Sequence, residues 1–122
     1  MVRGVRGAVQ VKKNRKKEIF TATQKLLLEI VKENDINLQD IASIFLTATV
    51  DLNADFPAYT LREMGWNSVP LLCAQEMDVP NAMKRVIRVL VHFNTDKSQK
   101  EIKHQYLGAT QKLRKDLLGG KK

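Results

Sequence analysis

Apolar residues alternate with small or polar ones from Val2 to Val11. This places Val5, Val9 and Val11 on one face of a strand and Gly4, Arg6, Ala8 and Gln10 on the other. The period then lengthens. Ile19, Ala22, Leu26, Leu27, Ile30 and Val31 recur at spacings of three and four, which predicts a helix over roughly residues 15–34, with Asn14 as its N-cap. Asn37 to Asp40 reads as a turn, Ile41 to Val50 as a second strand, and Asp51 to Phe56 as a loop closed by Pro57. A short helix is predicted over residues 58–64, ending before Gly65. Val69 to Ala74 and Lys84 to Asn94 predict two more strands around a turn at Val79-Pro80-Asn81. Ser98 to Lys103 reads as a helical turn and Tyr106 to Leu113 as a weak strand interrupted by Gly108. The pattern implies an α+β domain, a sheet with one long and one short helix packed on it, spanning residues 1–118, with a mobile tail at 119–122.

Within the fourth strand, Ile87, Val89, Val91 and Phe93 make the natural core face. Arg88, Leu90 and His92 point the other way. Arg88 sits inside an apolar run, and a guanidinium is costly to desolvate, so it needs a partner. Two readings are open from these segments: an ion pair with an acid such as Glu76, or one wall of an anion-binding pocket. Arg6 projects between Gly4 and Ala8, whose small side chains leave open space beside it. Cys73 ends one strand, with Glu76 just beyond.

At 122 residues the chain fits one domain, and its 43% hydrophobic content is that of an ordinary globular protein. No apolar run approaches a membrane span, and the N-terminus lacks the apolar stretch of a signal peptide. The single cysteine fits a reducing cytoplasm and is too few for a cysteine-rich zinc site. The net charge of +8 gathers in Lys12, Lys13, Arg15, Lys16 and Lys17, and in Lys112, Arg114, Lys115, Lys121 and Lys122. Such patches can bind phosphate backbones, but no aromatic residue interleaves with either cluster, so no nucleic-acid partner is expected. No phosphate-binding glycine loop and no metal-ligand spacing of His92, His104 and Cys73 is present, and as isolated histidines His92 and His104 read as structural. The polar groups on the strands suit a small, oxygen-rich anion, which arginine grips through its planar fork.

A set of short blocks then falls in order: Arg3-Gly4-Val5-Arg6-Gly7-Ala8, Phe56-Pro57-Ala58 with Arg62-Glu63, Gly65-Trp66 before Val69-Pro70, and Cys73-x-Gln75-Glu76-Met77-Asp78-Val79. Ile87-Arg88-Val89, His104-x-Tyr106-Leu107 and Leu113-Arg114-x-Asp116-Leu117 complete it. Across nearly the whole chain this resembles the monofunctional chorismate mutases, whose three subunits form a pseudo-α/β barrel. The resemblance implies an isomerase that rearranges chorismate to prephenate without cofactor or metal, in a homotrimer with sites between subunits. It implies that Arg88 donates to the breaking ether oxygen and that Arg6 binds a substrate carboxylate. Glu76 and the Cys73 thiol would meet the ring hydroxyl and the cationic side of the transition state, and Tyr106 the side-chain carboxylate. Phe56, Ala58 and Leu72 would line the cavity, with Arg62 and Arg114 at its mouth. Two positions depart from the family pattern: Tyr59, often lysine there, and Lys115, often proline. An imine-deaminase-like enzyme on a similar trimeric fold and a basic nucleic-acid-binding module are the alternatives.

Overall fold

The computed structural model describes residues 1–114, so the expected tail at 119–122 lies outside the described residues. Strand β1 (Val2–Gln10) leads into the long helix α1 (Lys16–Glu33), and strand β2 (Ile41–Ala48) follows a 3-10 turn at Leu38–Asp40. Helix α2 (Tyr59–Glu63) precedes strand β3 (Leu71–Gln75). Strand β4 (Val86–Asn94) is followed by a 3-10 turn at Gln99–Glu101, the two-residue strand β5 (Gln105–Tyr106) and a 3-10 helix at Gly108–Leu113.

The strands form a single mixed sheet in the order β3-β2-β4-β1-β5. β4 runs antiparallel to both neighbours, β1 and β2, whereas the outer pairs β2–β3 and β1–β5 are parallel. α1 is therefore the crossover between two parallel strands that leave one slot between them, which β4 later fills. Ile19, Phe20, Leu26, Leu27 and Ile30 of α1 are buried together with Val5, Val9, Ile44, Leu46, Ile87, Val89, Val91 and Phe93 in one core. The alternation along β1 and β4 thus sorts core from non-core as the sequence implied. Gly7 sets how closely α1 approaches: a Cβ there would stand 2.8 Å from Ile30 Cδ1 and 2.9 Å from Leu26 Cδ1.

Several expectations change, among them the end of β2, at Ala48 rather than Val50, and the start of β3, at Leu71 rather than Val69. Asn14 does not cap α1; the N-cap is Arg15, without a side-chain bond. The Asn14 amide instead binds the loop after β2, accepting from the N–H groups of Asn53 (3.1 Å) and Ala54 (3.0 Å) and donating to Asn53 Oδ1 (2.7 Å). Tyr106 to Leu113 is not a strand, because Gly108 takes φ +57° and turns the chain into a 3-10 helix. Thr110 fastens that helix by donating to the carbonyl of Ala8 at 3.0 Å. β4 begins at Val86 rather than Lys84, since Arg85 has φ +54° and gives its N–H to the Asp51 carboxylate, 3.1 Å from each oxygen. The space beside Arg6 at Gly4 is bounded rather than open-ended: a Cβ on Gly4 would lie at ordinary contact distance, 3.5 Å from Leu90 Cδ1 and 3.7 Å from His92 Cδ2.

Among the described residues, no helix is long and apolar enough to cross a membrane. The Lys12–Lys17 cluster lies on the surface, where the Lys16 ammonium sits 5.6 Å over the Phe20 ring.

Candidate active site

The sheet face away from α1 carries Arg6 and Arg88. Register places one transverse row across it: Ala74 of β3 beside Thr47 of β2, then Arg88 of β4, Ala8 of β1 and Tyr106 of β5. Strands lie about 4.8 Å apart, so Arg88 and Tyr106 stand roughly 10 Å from each other across Ala8. Ala8 between them is fully buried, in a small cluster with Val86, Tyr106, Met83 and Leu113. Arg6 enters from two residues earlier on β1, in register with Leu90. Arg114 closes the C-terminal side beyond the last 3-10 helix. Arg6, Arg88, Tyr106 and Arg114 line one open hollow of about 420 Å³ with Phe45 and Thr47.

Arg88 spans two environments. Its Nε is covered and lacks a hydrogen bond, with Glu76 Oε2 3.4 Å away. The side chain as a whole keeps 42% of its surface exposed, so that exposure lies on its other atoms. Glu76 extends the β3–β2 ladder by one bond, its N–H donating to Ala48 O at 2.9 Å. Its carboxylate accepts a short hydrogen bond from the Thr47 hydroxyl. The ion-pair reading of Arg88 therefore holds, and the exposed remainder of its side chain lines the hollow. A fork held this way presents its donors without having to be ordered at the moment of binding.

Cys73 does not share this face. Glu76, just past the end of β3, meets Thr47 and Arg88 on the open face, whereas Cys73 points to the core side. Cys73 lies opposite Leu46 in the β2–β3 ladder and packs on the core side. It opens into a second hollow, about 590 Å³, with Ala48, Leu52, Phe56, Pro57 and Gln75, and among the described residues no basic one lines it. Burial raises the pKa of the thiol, opposed by N–H bonds from Ala58 and Ala74, so it is protonated at neutral pH. Phe56 is exposed, and its ring meets Tyr59 edge-on at 5.3 Å. The Arg62 guanidinium stacks over the Tyr59 ring at 4.7 Å. Tyr59, where the family pattern often has lysine, thus carries Arg62. Leu72 projects from the opposite side of β3 to Cys73, in register with Phe45, and both are exposed.

The sequence-predicted residues accordingly fall into two groups. Arg6, Glu76, Arg88, Tyr106 and Arg114 gather on the open sheet face, with Leu72 at its β3 edge. Cys73, Ala58, Phe56 and Arg62 gather on the other side, around α2 and the ends of β2 and β3. Two further polar residues belong to the first group. Thr47 was legible from the alternation of β2, where Phe45 and Thr47 share a face. His104 was not: its Nδ1 accepts the backbone N–H of Arg6 at 2.9 Å, across a separation no local pattern reveals.

Comparison with known proteins identifies the family. Residues 2–117 match the family model for chorismate mutase type I. The chain is 44% identical to the chorismate mutase AroH of Bacillus subtilis (strain 168) over 118 residues, covering 96% of this chain and 93% of that protein. It is 43% identical to the chorismate mutase AroH of Thermus thermophilus over 118 residues, covering 96% and 97%. The structure of a chorismate mutase from Clostridium thermocellum superposes with a TM-score of 0.86 at 47% identity, over 88% of this chain and 96% of that one. On the sheet topology, the arginine-lined face and these matches together, the chain belongs to the type I chorismate mutase family and is an isomerase.

Proposed function

We propose that this chain converts chorismate to prephenate in the cytoplasm, in a homotrimer whose sites lie between subunits. The rearrangement is intramolecular: the ether C–O bond breaks as a new C–C bond forms, and no proton, electron or group leaves or enters. Two tasks then remain for the protein. One is to hold the enolpyruvyl arm folded over the ring, an orientation effect. The other is to stabilise the uneven charge of the transition state, negative toward the ether oxygen and positive on the ring. Arg88 serves the ether oxygen, because its inner nitrogen is already fixed by Glu76. Arg6 and Arg114 take carboxylate charge, and Tyr106 donates to the side-chain carboxylate. Glu76 provides the negative counterpart for the ring. Only the contacts that strengthen as charge separates raise the turnover number.

The observation that carries the intersubunit reading is the division of the site residues between two faces. One chain offers its arginines on an open face bordered by the exposed Phe45 and Leu72. A second copy, presenting its Phe56–Ala58 segment and Cys73, would close that face and cover the apolar border. In a cyclic trimer the contact is heterologous, so one surface meets a different surface of the next subunit. The Cys73 thiol, neutral at neutral pH, then acts as a hydrogen-bonding dipole toward the ring hydroxyl.

Purified protein should consume chorismate, and inactivity would end this reading. The shared site has its own test. Arg88→Ala and Ala58→Arg chains should each be inactive alone. Refolded together in equal amounts, random assembly gives about a quarter of sites both intact partners, so activity returns to roughly that level. No recovery would place the whole site in one chain.

A further inference from the structure

The open edge of β1 is closed by side chains where β5 does not reach. β5 pairs only with Gly7 and Ala8. Ahead of it, the Gln99 amide does the work of a strand, accepting from the N–H of Gly4 at 3.1 Å and donating to its carbonyl at 2.6 Å. The N–H between these two contacts, that of Arg6, goes to His104 Nδ1. The histidine backbone is itself clamped. Asn34, buried at the end of α1, donates to the carbonyl of Lys103 at 3.0 Å and accepts its N–H at 2.7 Å. On the other side, the N–H of Leu107 donates to Ala8 O at 3.0 Å.

A ring nitrogen that accepts an amide proton carries none of its own, so the imidazole is neutral with its proton on Nε2. Its surroundings favour that state. Burial, then the positive charges of Arg6 on β1 and of Arg114 beyond the last 3-10 helix, hold its pKa below the ordinary histidine value. Protonation would replace the acceptor facing Arg6 N–H by a second donor, and the bond would be lost.

We propose that His104 is a positioning residue for substrate capture, whose neutral Nδ1 fixes the backbone of Arg6 and so aims its guanidinium at a chorismate carboxylate. This rests on the assignment of Arg6 to that carboxylate. It predicts a loss of capture on acidification, the reverse of what simple attraction between a third cation and a dianionic substrate would give. Arg88 is paired independently with Glu76, just past the end of β3, so KM carries the effect and the turnover number does not.

The test is kcat and KM for chorismate between about pH 5 and 8, in wild type, His104→Gln, His104→Phe and Arg6→Ala. Wild-type KM should rise as pH falls below the ordinary histidine range. His104→Gln keeps an acceptor that does not titrate, so its KM should stay low and lose that acidic rise. His104→Phe fills the space without an acceptor. Its KM should be raised at every pH by about threefold to tenfold, the scale of one hydrogen bond, with kcat within about twofold of wild type. A KM in His104→Phe equal to wild type, an acidic rise retained in His104→Gln, or a wild-type KM that falls on acidification would each overturn the proposal. Should His104→Phe not fold, the pH profile of His104→Gln decides alone. Arg6→Ala separates the two levels: if it leaves KM unchanged, the carboxylate assignment has failed and this inference with it. If Arg6→Ala raises KM and the His104 variants do not, the inference alone is wrong.

Discussion

Replacing Asn34 by alanine tests how the C-terminal segment is held against the body of the domain. The buried Asn34 amide makes three bonds: Nδ2 to Ile30 O (2.9 Å) and Lys103 O (3.0 Å), and Oδ1 from Lys103 N (2.7 Å). The bond to Ile30 matters least, because that carbonyl also receives the backbone N–H of Asn34 at 3.2 Å. The two bonds to Lys103 are each worth about 0.5–1.5 kcal/mol net, which gives a loss of about 1–3 kcal/mol. For a domain of this size, each kcal/mol lowers the melting temperature by about 4 °C, so a fall of about 4–12 °C is expected. Circular dichroism melts at one fixed protein concentration provide the assay, since subunit association would make the midpoint concentration-dependent. The near-isosteric Asn34→Asp sharpens it. A carboxylate oxygen would then face two carbonyls in a buried position, and this variant should be no more stable than alanine. A melting temperature for Asn34→Asp equal to wild type would refute the donor roles assigned to Nδ2, and one for Asn34→Ala within about 1 °C of wild type would refute the clasp itself.

Further outcomes follow from other contacts. Gly7→Ala should lower the urea midpoint by the equivalent of about 1–3 kcal/mol, because its Cβ would also meet the backbone oxygen of Gln105 at 3.0 Å. An unchanged midpoint would mean that α1 can retreat freely. Alkylation of Cys73 by iodoacetamide should require a higher pH than an ordinary cysteine, since burial raises the thiol pKa. Rapid reaction at neutral pH would contradict that. Thr47→Val removes the hydroxyl bonded to Glu76 with little change of shape. It should lower kcat/KM by about twofold to tenfold, and full activity would show that Glu76 needs no second anchor.

What the sequence made legible follows the local periods. Period two placed Arg88 away from the core, and the three-four stripe of α1 found its buried side. In sequence Cys73 and Glu76 stand together, whereas the structure turns Cys73 to the core side and Glu76 to Arg88. Contacts between distant segments were beyond reach. Nothing local tells that Asn14 serves the loop at Asn53 rather than its own helix, or that His104 meets Arg6. A single glycine conformation at Gly108 decided strand against 3-10 helix, and the left-handed Arg85 moved the start of β4. Those positions depend on partners many residues away, such as Asp51 for Arg85. The family resemblance supplied what no period could, the reaction itself.

The central claim is that a forked guanidinium at position 88, held by Glu76, stabilises the breaking ether bond. The direct measurement is the turnover of chorismate by wild type, Arg88→Lys and Arg88→Ala, with folding of each checked by circular dichroism. Loss of one preorganised donor typically costs about 10²–10³ in kcat, so Arg88→Ala should fall at least that far. Arg88→Lys should remain poor, because an ammonium cannot meet Glu76 and the ether oxygen through one rigid plane. Near wild-type turnover in Arg88→Lys would contradict the account.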